Sequence, residues 1–380
     1  MSAQPLDRAA VIDRGFATMQ RWALRIVLIA AAAFVLGWVV GRTWMVWFPV
    51  AIALVVATVL GPPVAWLRGR GLPDALAAAI VMLSFVGAIV GIVAILAPQV
   101  VGQAPTIAEK ASNGLLEVRD WLTDGPLKVS DGQMTTAITA VQEKLRESAA
   151  TISAGVFTTI GAATSIVVNF VVILILTFLF VKDGHRFLPW VATIGGRPAA
   201  QHTVEVLGRA WDTLGGFIRT QTLVALIDAV IIGAGMFFVG VPLWLPLAVV
   251  TFLGGFIPIV GAFVSGALAV LVTLVTNSPR DALIVLLIVV AVQQLEGNFL
   301  SPWLQGKSMN LHAAVVLLSV TAGGSLFGIT GAFLAVPVAA TVAEVLRYIN
   351  EQIKDEVGEE EPPALEPEPA GEASGETSTA

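Results

Sequence analysis

Long apolar runs alternate with short polar links over most of this chain. The runs lie at about 24–40, 44–60, 75–97, 154–181, 222–239, 243–276, 282–300 and 311–345. Most approach or exceed the ~20 residues a helix needs to cross a bilayer. No series of ~10-residue alternating segments is present, which argues against a β-barrel. The pattern predicts an all-α integral membrane protein, a polytopic helical bundle of about eight hydrophobic segments.

Two runs break the pattern. Residues 243–276 are 34 long, roughly 50 Å as one straight helix against a ~30 Å hydrocarbon core. Gly254, Gly255, Pro258 and Gly261 interrupt them near the middle. Residues 311–345 are 35 long and are interrupted by Gly323, Gly324 and Gly328. Each is preceded by a plain span, and the breaks share letters: Gly254-Gly255 before Gly261-Ala262-Phe263, and Gly323-Gly324 before Gly331-Ala332-Phe333. The arrangement suggests an inverted repeat with paired interrupted segments, a pattern that in transporters marks the binding site. Re-entrant hairpins and full broken spans both fit the spacing.

Between these runs the polar stretches set the organisation. Residues 1–22 carry Arg8, Arg14 and Arg21 and form an N-terminal segment before membrane helices in 23–97. Trp38, Trp44 and Trp47 mark one boundary, while Arg68 and Arg70 mark the opposite one. Gly87 and Gly91 have the spacing of close helix contacts. Residues 98–152 hold five basic and seven acidic side chains around apolar positions at helical spacing, and read as a helical domain outside the membrane. A further span in 153–181 ends at Lys182-Asp183-Gly184-His185-Arg186. Residues 182–221 read as an amphipathic linker on the membrane surface or against the bundle, and 222–346 as the core with both interrupted segments.

The net charge of −6 is mostly a property of the end of the chain: residues 351–380 hold ten acidic side chains and one lysine. The Glu/Pro-rich stretch 347–380 reads as a disordered tail. The distribution of Lys and Arg places the N-terminus of a multi-pass protein in the cytoplasm, and an even number of crossings returns the C-terminus there. No basic footprint for nucleic acid is present.

There are no cysteines, which excludes disulfides, thiol nucleophiles and Cys-ligated metals. Gly306-Lys307-Ser308 echoes a phosphate-binding loop, but Ser301 stands where its first glycine must be. The hydrolase and metalloprotease signatures are absent, so no enzyme and no cofactor is expected. The chemistry lies in polar residues at membrane depth. Asp228 is flanked by Ile227 and Ala229 in an apolar run. Such a carboxylate must face protein or water, as a proton or cation ligand or as the partner of a neighbouring Arg or amide. Gln293 and Glu296 share one helix side, with Gln294 and Asn298 on an adjoining one. They suit a hydroxylated solute or an oxygen-coordinated cation, or else cap a helix end in the headgroup zone. Freed backbone groups at the two glycine breaks add to that site, or the glycines simply permit a turn. Glu344 and Arg347 are spaced for a salt bridge, and the three histidines show no ligand spacing.

Three strings carry a family likeness: Gly254-Gly255-Phe256-Ile257-Pro258, Gln293-Gln294-Leu295-Glu296-Gly297-Asn298-Phe299-Leu300-Ser301-Pro302, and Gly323-Gly324-Ser325-Leu326-Phe327-Gly328-Ile329-Thr330-Gly331 leading to Ala335-Val336-Pro337. With Lys182-Asp183-Gly184 and Gly215-Gly216-Phe217-Ile218-Arg219, they resemble the autoinducer-2 exporter (PerM-like permease) family over roughly residues 20–350. Ile259 departs from it, standing where the family implies an aromatic. The resemblance implies an inner-membrane transporter that forms homo-oligomers. Its cargo would be a small polar solute such as autoinducer-2, or Na⁺ (Li⁺) exchanged for H⁺. The reading is gradient-driven alternating access along a path lined by Asp228, Glu296 and the amides. A membrane scaffold acting through the 98–152 domain and the tail is the reading outside transport.

Overall fold

The computed structural model describes residues 37–124, 160–194, 197–300 and 311–357, with scattered positions in 19–36 and 139–150. The N-terminal segment, the Gly306-Lys307-Ser308 string and the end of the acidic tail lie outside the described residues.

Every described element is helical. In chain order they are α1 (Trp44–Gly69), α2 (Asp74–Asp124), α3 (Ile160–Ile194), α4 (Arg197–Val239), α5 (Trp244–Gly254), α6 (Val260–Thr276), α7 (Pro279–Leu295) and α8 (Ala313–Val357), with a π-turn at Glu296–Leu300 after α7. Six of these stretches are long and apolar enough to cross a membrane, and α5 and α6 are shorter apolar helices. Leu83, Phe238, Phe263, Leu271, Leu287 and Ile329 all point outward. Large apolar side chains on the outside of a helical bundle belong in lipid. The chain is a multi-pass membrane protein.

Two interrupted segments are re-entrant hairpins. α5 and α6 are joined by the tip 255–259, where Ile257 N–H donates to Gly254 O at 2.8 Å. A Cβ on Gly261 would collide with the carbonyl oxygen of Gly254. Residues seven apart in a straight helix are about 10 Å apart, so the chain has reversed. α8 is broken at Phe327 and at Gly328, the latter with φ +64°. Here a Cβ on Gly331 would meet the carbonyl oxygen of Gly323, eight residues earlier. The last of the six apolar stretches is therefore two limbs folded together, not one crossing. In both hairpins glycine is required because backbone touches backbone.

The hairpins point in opposite directions. Arg68, at the end of α1, donates to Val181 O and Lys182 O of α3 and pairs with Asp74 at 3.0 Å. This Arg68 end also holds Arg209–Glu351 at 2.6 Å and His202–Tyr348 at 2.6 Å, which tie α4 to the second limb of α8. From there α8 runs to its tip, where Phe327 stacks on Trp44, the first residue of α1, at the other end of the bundle. The α5–α6 hairpin starts from that other end. Gln103 donates to Pro242 O at 3.4 Å, Lys110 to Thr276 O at 2.8 Å, and Asn277 to Gly240 O at 3.4 Å. The two hairpins thus enter from opposite faces, as an inverted repeat requires.

α4 connects most of the bundle. It packs on α1, α3, α5, α7, α8 and the π-turn. One core cluster joins Ile232 and Met236 of α4 to Leu247, Ala269, Val285 and Val289. Another joins Phe217 and Ile218 to Val55, Val320 and Val336. A third links α1, α2 and α3 around Ala57, Val64, Ala78 and Met82. Burial of these apolar side chains is what fixes the helices to one another.

Element boundaries differ from the sequence expectation in two places. The later part of the expected amphipathic linker 182–221 and the span 222–239 are one helix, because Phe217, Ile218 and Gln221 are buried on the same stripe as Ala225 and Ile232. The third span and the start of the 98–152 segment are also one helix, α2, running through Pro98 and Pro105. Its extension is packed on the base of the α5–α6 hairpin through Ile107 and the Gln103 and Lys110 bonds. Gly87 and Gly91, spaced for close contact, meet nothing within 4 Å in this chain.

Gly261→Ala and Gly331→Ala each force a methyl group into a backbone carbonyl of the facing limb. Each is expected to cost about 2–3 kcal/mol and to lower the thermal unfolding midpoint in detergent. Gly216→Ala, with nothing within 4 Å of the added atom, should leave the midpoint unchanged or raise it slightly.

Candidate functional site

A cavity of about 330 Å³ lies where α4, the tip of the α5–α6 hairpin and the end of α7 converge. Asp228 and Gln221 reach it from α4, Thr251 and Ser265 from the hairpin limbs, and Gln293 and Glu296 from α7 and the π-turn. Val316 and Val336 of α8 and Phe217 complete an apolar wall. A pocket of this size, apolar with a few convergent polar groups, is the usual form of a small-ligand site.

Local sequence explains the aim of each side chain. α7 begins with Ser278 accepting from Asp281 N at 3.2 Å and with Pro279 in the first turn, a strong helix start. Its other end widens into the π-turn Glu296–Leu300. Single π-turns inside helices frequently sit at functional sites. Gln293 and Glu296 face inward and line the cavity. Gln294 and Asn298 do not: both are exposed, and Asn298 Nδ2 donates to the Gln294 carbonyl oxygen at 2.9 Å. The expected four-residue polar patch is therefore split by helix geometry into a cavity pair and an outward, self-capping pair.

The charge is unusual. Asp228 is only 6% exposed, and its Oδ1 has no hydrogen-bond partner. Its carboxyl group interacts directly with that of Glu296. Among the described residues lining the cavity none is basic. Arg219, the nearest arginine along α4, is turned back onto Gly215 O at 2.8 Å. A buried carboxylate facing a half-buried one, with no cation between them, favours a proton or a bound positive charge.

The remaining polar groups reinforce this preference. Thr251 donates its hydroxyl to Leu247 O at 2.9 Å, and Ser265 to Gly261 O at 2.8 Å. Gln221 Nε2 donates to Gly255 O at 2.6 Å. Both hydroxyl hydrogens are used inside the protein, so the hydroxyl lone pairs remain, while Gln221 keeps its amide oxygen and one N–H, and Gln293 adds its own amide. With two carboxylates present, the cavity offers more acceptors than donors.

The two glycine breaks have different relations to this cavity. Gly255 and Pro258 line it, while Gly254 and Gly261 form the crossing just behind. Gly323, with Phe327 and Gly331, instead lines an apolar groove against Trp44, Trp47 and Leu54 of α1. Gly328 forms the α8 tip, and Gly324 packs against Ala332. The α8 break therefore does not face the Pro258 break across the site. The inverted insertion of α8 places its limbs, not its tip, beside the cavity. Gln221, Thr251 and Ser265 were missed in the sequence because single polar residues in apolar runs have no distinguishing spacing. Glu344 and Arg347 form their ion pair at 2.9 Å.

A family model described as AI-2E family transporter matches residues 26–351. A protein of Mycobacterium tuberculosis (strain CDC 1551 / Oshkosh), provisionally named a transport protein, is 37% identical over 321 residues, covering 84% of this chain and 87% of the relative. YrrI of Bacillus subtilis (strain 168), with the same provisional name, is 30% identical over 315 residues, or 80% and 86% of the two chains. PerM of Escherichia coli (strain K12), provisionally named a permease, is 25% identical over 307 residues, covering 78% and 86%.

Removing one of the facing carboxylates should relieve the protein. Asp228→Asn is expected to raise the thermal unfolding midpoint by a few degrees, for a gain of roughly 1–2 kcal/mol. Gln294→Leu, outside the cavity, should not move it in the same detergent melt.

Proposed function

The chain belongs to the AI-2E transporter family, and from that premise we propose that it moves a small donor-rich polar solute outward through the Asp228–Glu296 cavity, driven by an ion gradient. The observation that carries this reading is the surplus of acceptors: two carboxylates, two hydroxyls with committed donors, and no basic side chain among the described lining residues. A hydroxylated molecule of the autoinducer-2 kind brings donors that such a site can satisfy. An anion would meet two negative charges in a low-dielectric pocket and be rejected.

Coupling follows from the same pair. One proton or monovalent cation shared by the two carboxylates removes one of their two negative charges, and its arrival and departure change which state of the core is favoured. The hairpins entering from opposite faces provide two elements that can each take part in closing the cavity, so it can be exposed to one side at a time. Arg68, Arg186 and Arg209 mark the face that the positive-inside preference assigns to the cytoplasm. In this reading the protein lies in the inner membrane and works as a homo-oligomer.

A second reading is supported by the unpartnered Asp228 Oδ1. It is Na⁺ (Li⁺)/H⁺ antiport, with the cation bound by Asp228, Glu296 and the Thr251 and Ser265 oxygens. Carboxyl and hydroxyl oxygens suit a hard cation. Among the described residues there is no group of three or more His, Cys, Asp or Glu, so a transition metal is not the expected cargo.

Glu296→Gln in proteoliposomes is expected to reduce gradient-driven flux of hydroxylated solutes at least ten-fold, with Gln294→Ala and Asn298→Ala near wild type. Unchanged flux in Glu296→Gln would overturn the site. A sodium step that moves an internal pH probe in the wild type, without any organic solute, would select the antiport reading instead.

A further inference from the structure

Gln221 has no obvious signal in the sequence, yet its side chain ties α4 to the tip of the α5–α6 hairpin: Nε2 donates to Gly255 O at 2.6 Å. The side chain is 6% exposed. One turn further along α4, Ala225 is fully buried, and a Cβ placed on Gly255 would lie 2.6 Å from the Ala225 Cβ. A further turn on, Asp228 faces the cavity. Positions 221, 225 and 228 fall on one helix face. α4 therefore presents a hydrogen bond, a bare backbone seat and the buried carboxylate in a row, with the hairpin tip lying on the first two.

The tip itself is strained. Ile259 has φ +66° and ψ −61°, and Val260 N–H donates to Pro258 O at 2.7 Å. This is the γ-turn of the rare hand, unfavourable for any residue with a Cβ and more so for a β-branched one. Ile259 is 55% exposed and lines the cavity. Its own packing does not hold the strained turn in place, so the neighbouring attachment must. Strain of this kind persists only where the surroundings impose it.

We infer that Gln221 is a positioning residue: it latches the hairpin tip onto α4 and so keeps the tip closed beside the Asp228–Glu296 pair. Releasing the bond frees the strained tip and opens the cavity. The inference deepens the transport reading and rests on it only for what passes through the cavity. The latch itself is a statement about the hairpin and is tested without any solute.

The chain has no cysteine, so a single reporter can be introduced in the full-length protein. Ala262→Cys places a thiol in the cavity wall on the first turn of α6. The measurement is its alkylation rate by a polar maleimide, with the protein in lipid nanodiscs. Gln221→Met in that background keeps side-chain length and removes the donor. It is expected to raise the rate about five-fold, the change in an opening equilibrium that loss of one net hydrogen bond gives. Gly255→Ala pushes the tip off Ala225 by an independent route and should also raise it. Thr222→Val, whose hydroxyl bonds only to Ile218 O of the same helix, should leave it unchanged. A general loosening of the fold would raise the rate in Thr222→Val as well and would overturn the latch. So would an unchanged rate in Gln221→Met, or in Gly255→Ala should Gln221→Met prove too unstable to purify. Flux lost in Glu296→Gln but unaltered alkylation in Gln221→Met would leave the transport reading standing and remove the latch; the converse pair of results would do the opposite.

Discussion

Backbone amides and carbonyls in lipid must find partners inside the protein, and reversing a chain at membrane depth leaves several of them free. Both hairpins meet this constraint in the same way. Their limbs come together at a glycine pair, Gly254 with Gly261 and Gly323 with Gly331, where no side chain separates one backbone from the other. The turn can then be short: one ends in the hydrogen-bonded γ-turn at Ile259, the other in the positive φ of Gly328. A methyl group at either crossing would separate the limbs and widen the turn. The cavity depends on this contact, because the α5–α6 tip is one of its walls.

The second requirement is a fixed surface for the tips to rest on. α4 supplies it for the first hairpin, with Gln221 and Ala225 against Gly255. α1 supplies it for the second, with Trp44 stacked on Phe327 at 4.0 Å between ring centroids. α4 is buried along one stripe from Ala210 to Met236 and touches most other elements. A polar residue on that stripe is necessarily presented to the interior, as Gln221 and Asp228 are. The extension of α2 adds a third restraint at the open end of the α5–α6 hairpin, through Gln103, Ile107 and Lys110. That region is thus mechanically joined to the core as far as residue 124.

Within this frame the chemistry is simple. Asp228 and Glu296 come from different helices and meet because α7 runs back along α4 and then widens at Glu296. Thr251 and Ser265 direct their hydroxyl hydrogens into their own helices, which leaves only acceptor capacity toward the cavity. The selectivity that follows is for positive or hydrogen-donating groups, and the same negative charge that selects them destabilises the empty site. Buried groups kept at a cost to stability are characteristic of functional positions.

The sequence by itself determined the class of the protein and the position of its irregularities. Apolar runs of fixed length dictate helices in lipid, and glycines in the middle of an over-long run dictate a break, since few other residues tolerate backbone contact. Asp228, Gln293 and Glu296 were legible because a carboxylate or amide at membrane depth requires a partner. Tertiary structure decided the rest. It made the breaks hairpins and inserted them from opposite faces, which the spacing alone left open. It turned Gln294 and Asn298 outward, and it placed the Gly323 break against α1 instead of at the site. It also brought in Gln221, Thr251 and Ser265. The reason is the same in each case: helical periodicity fixes which residues share a face, but only the packing of α4 against α5, α7 and α8 fixes which face looks into the cavity.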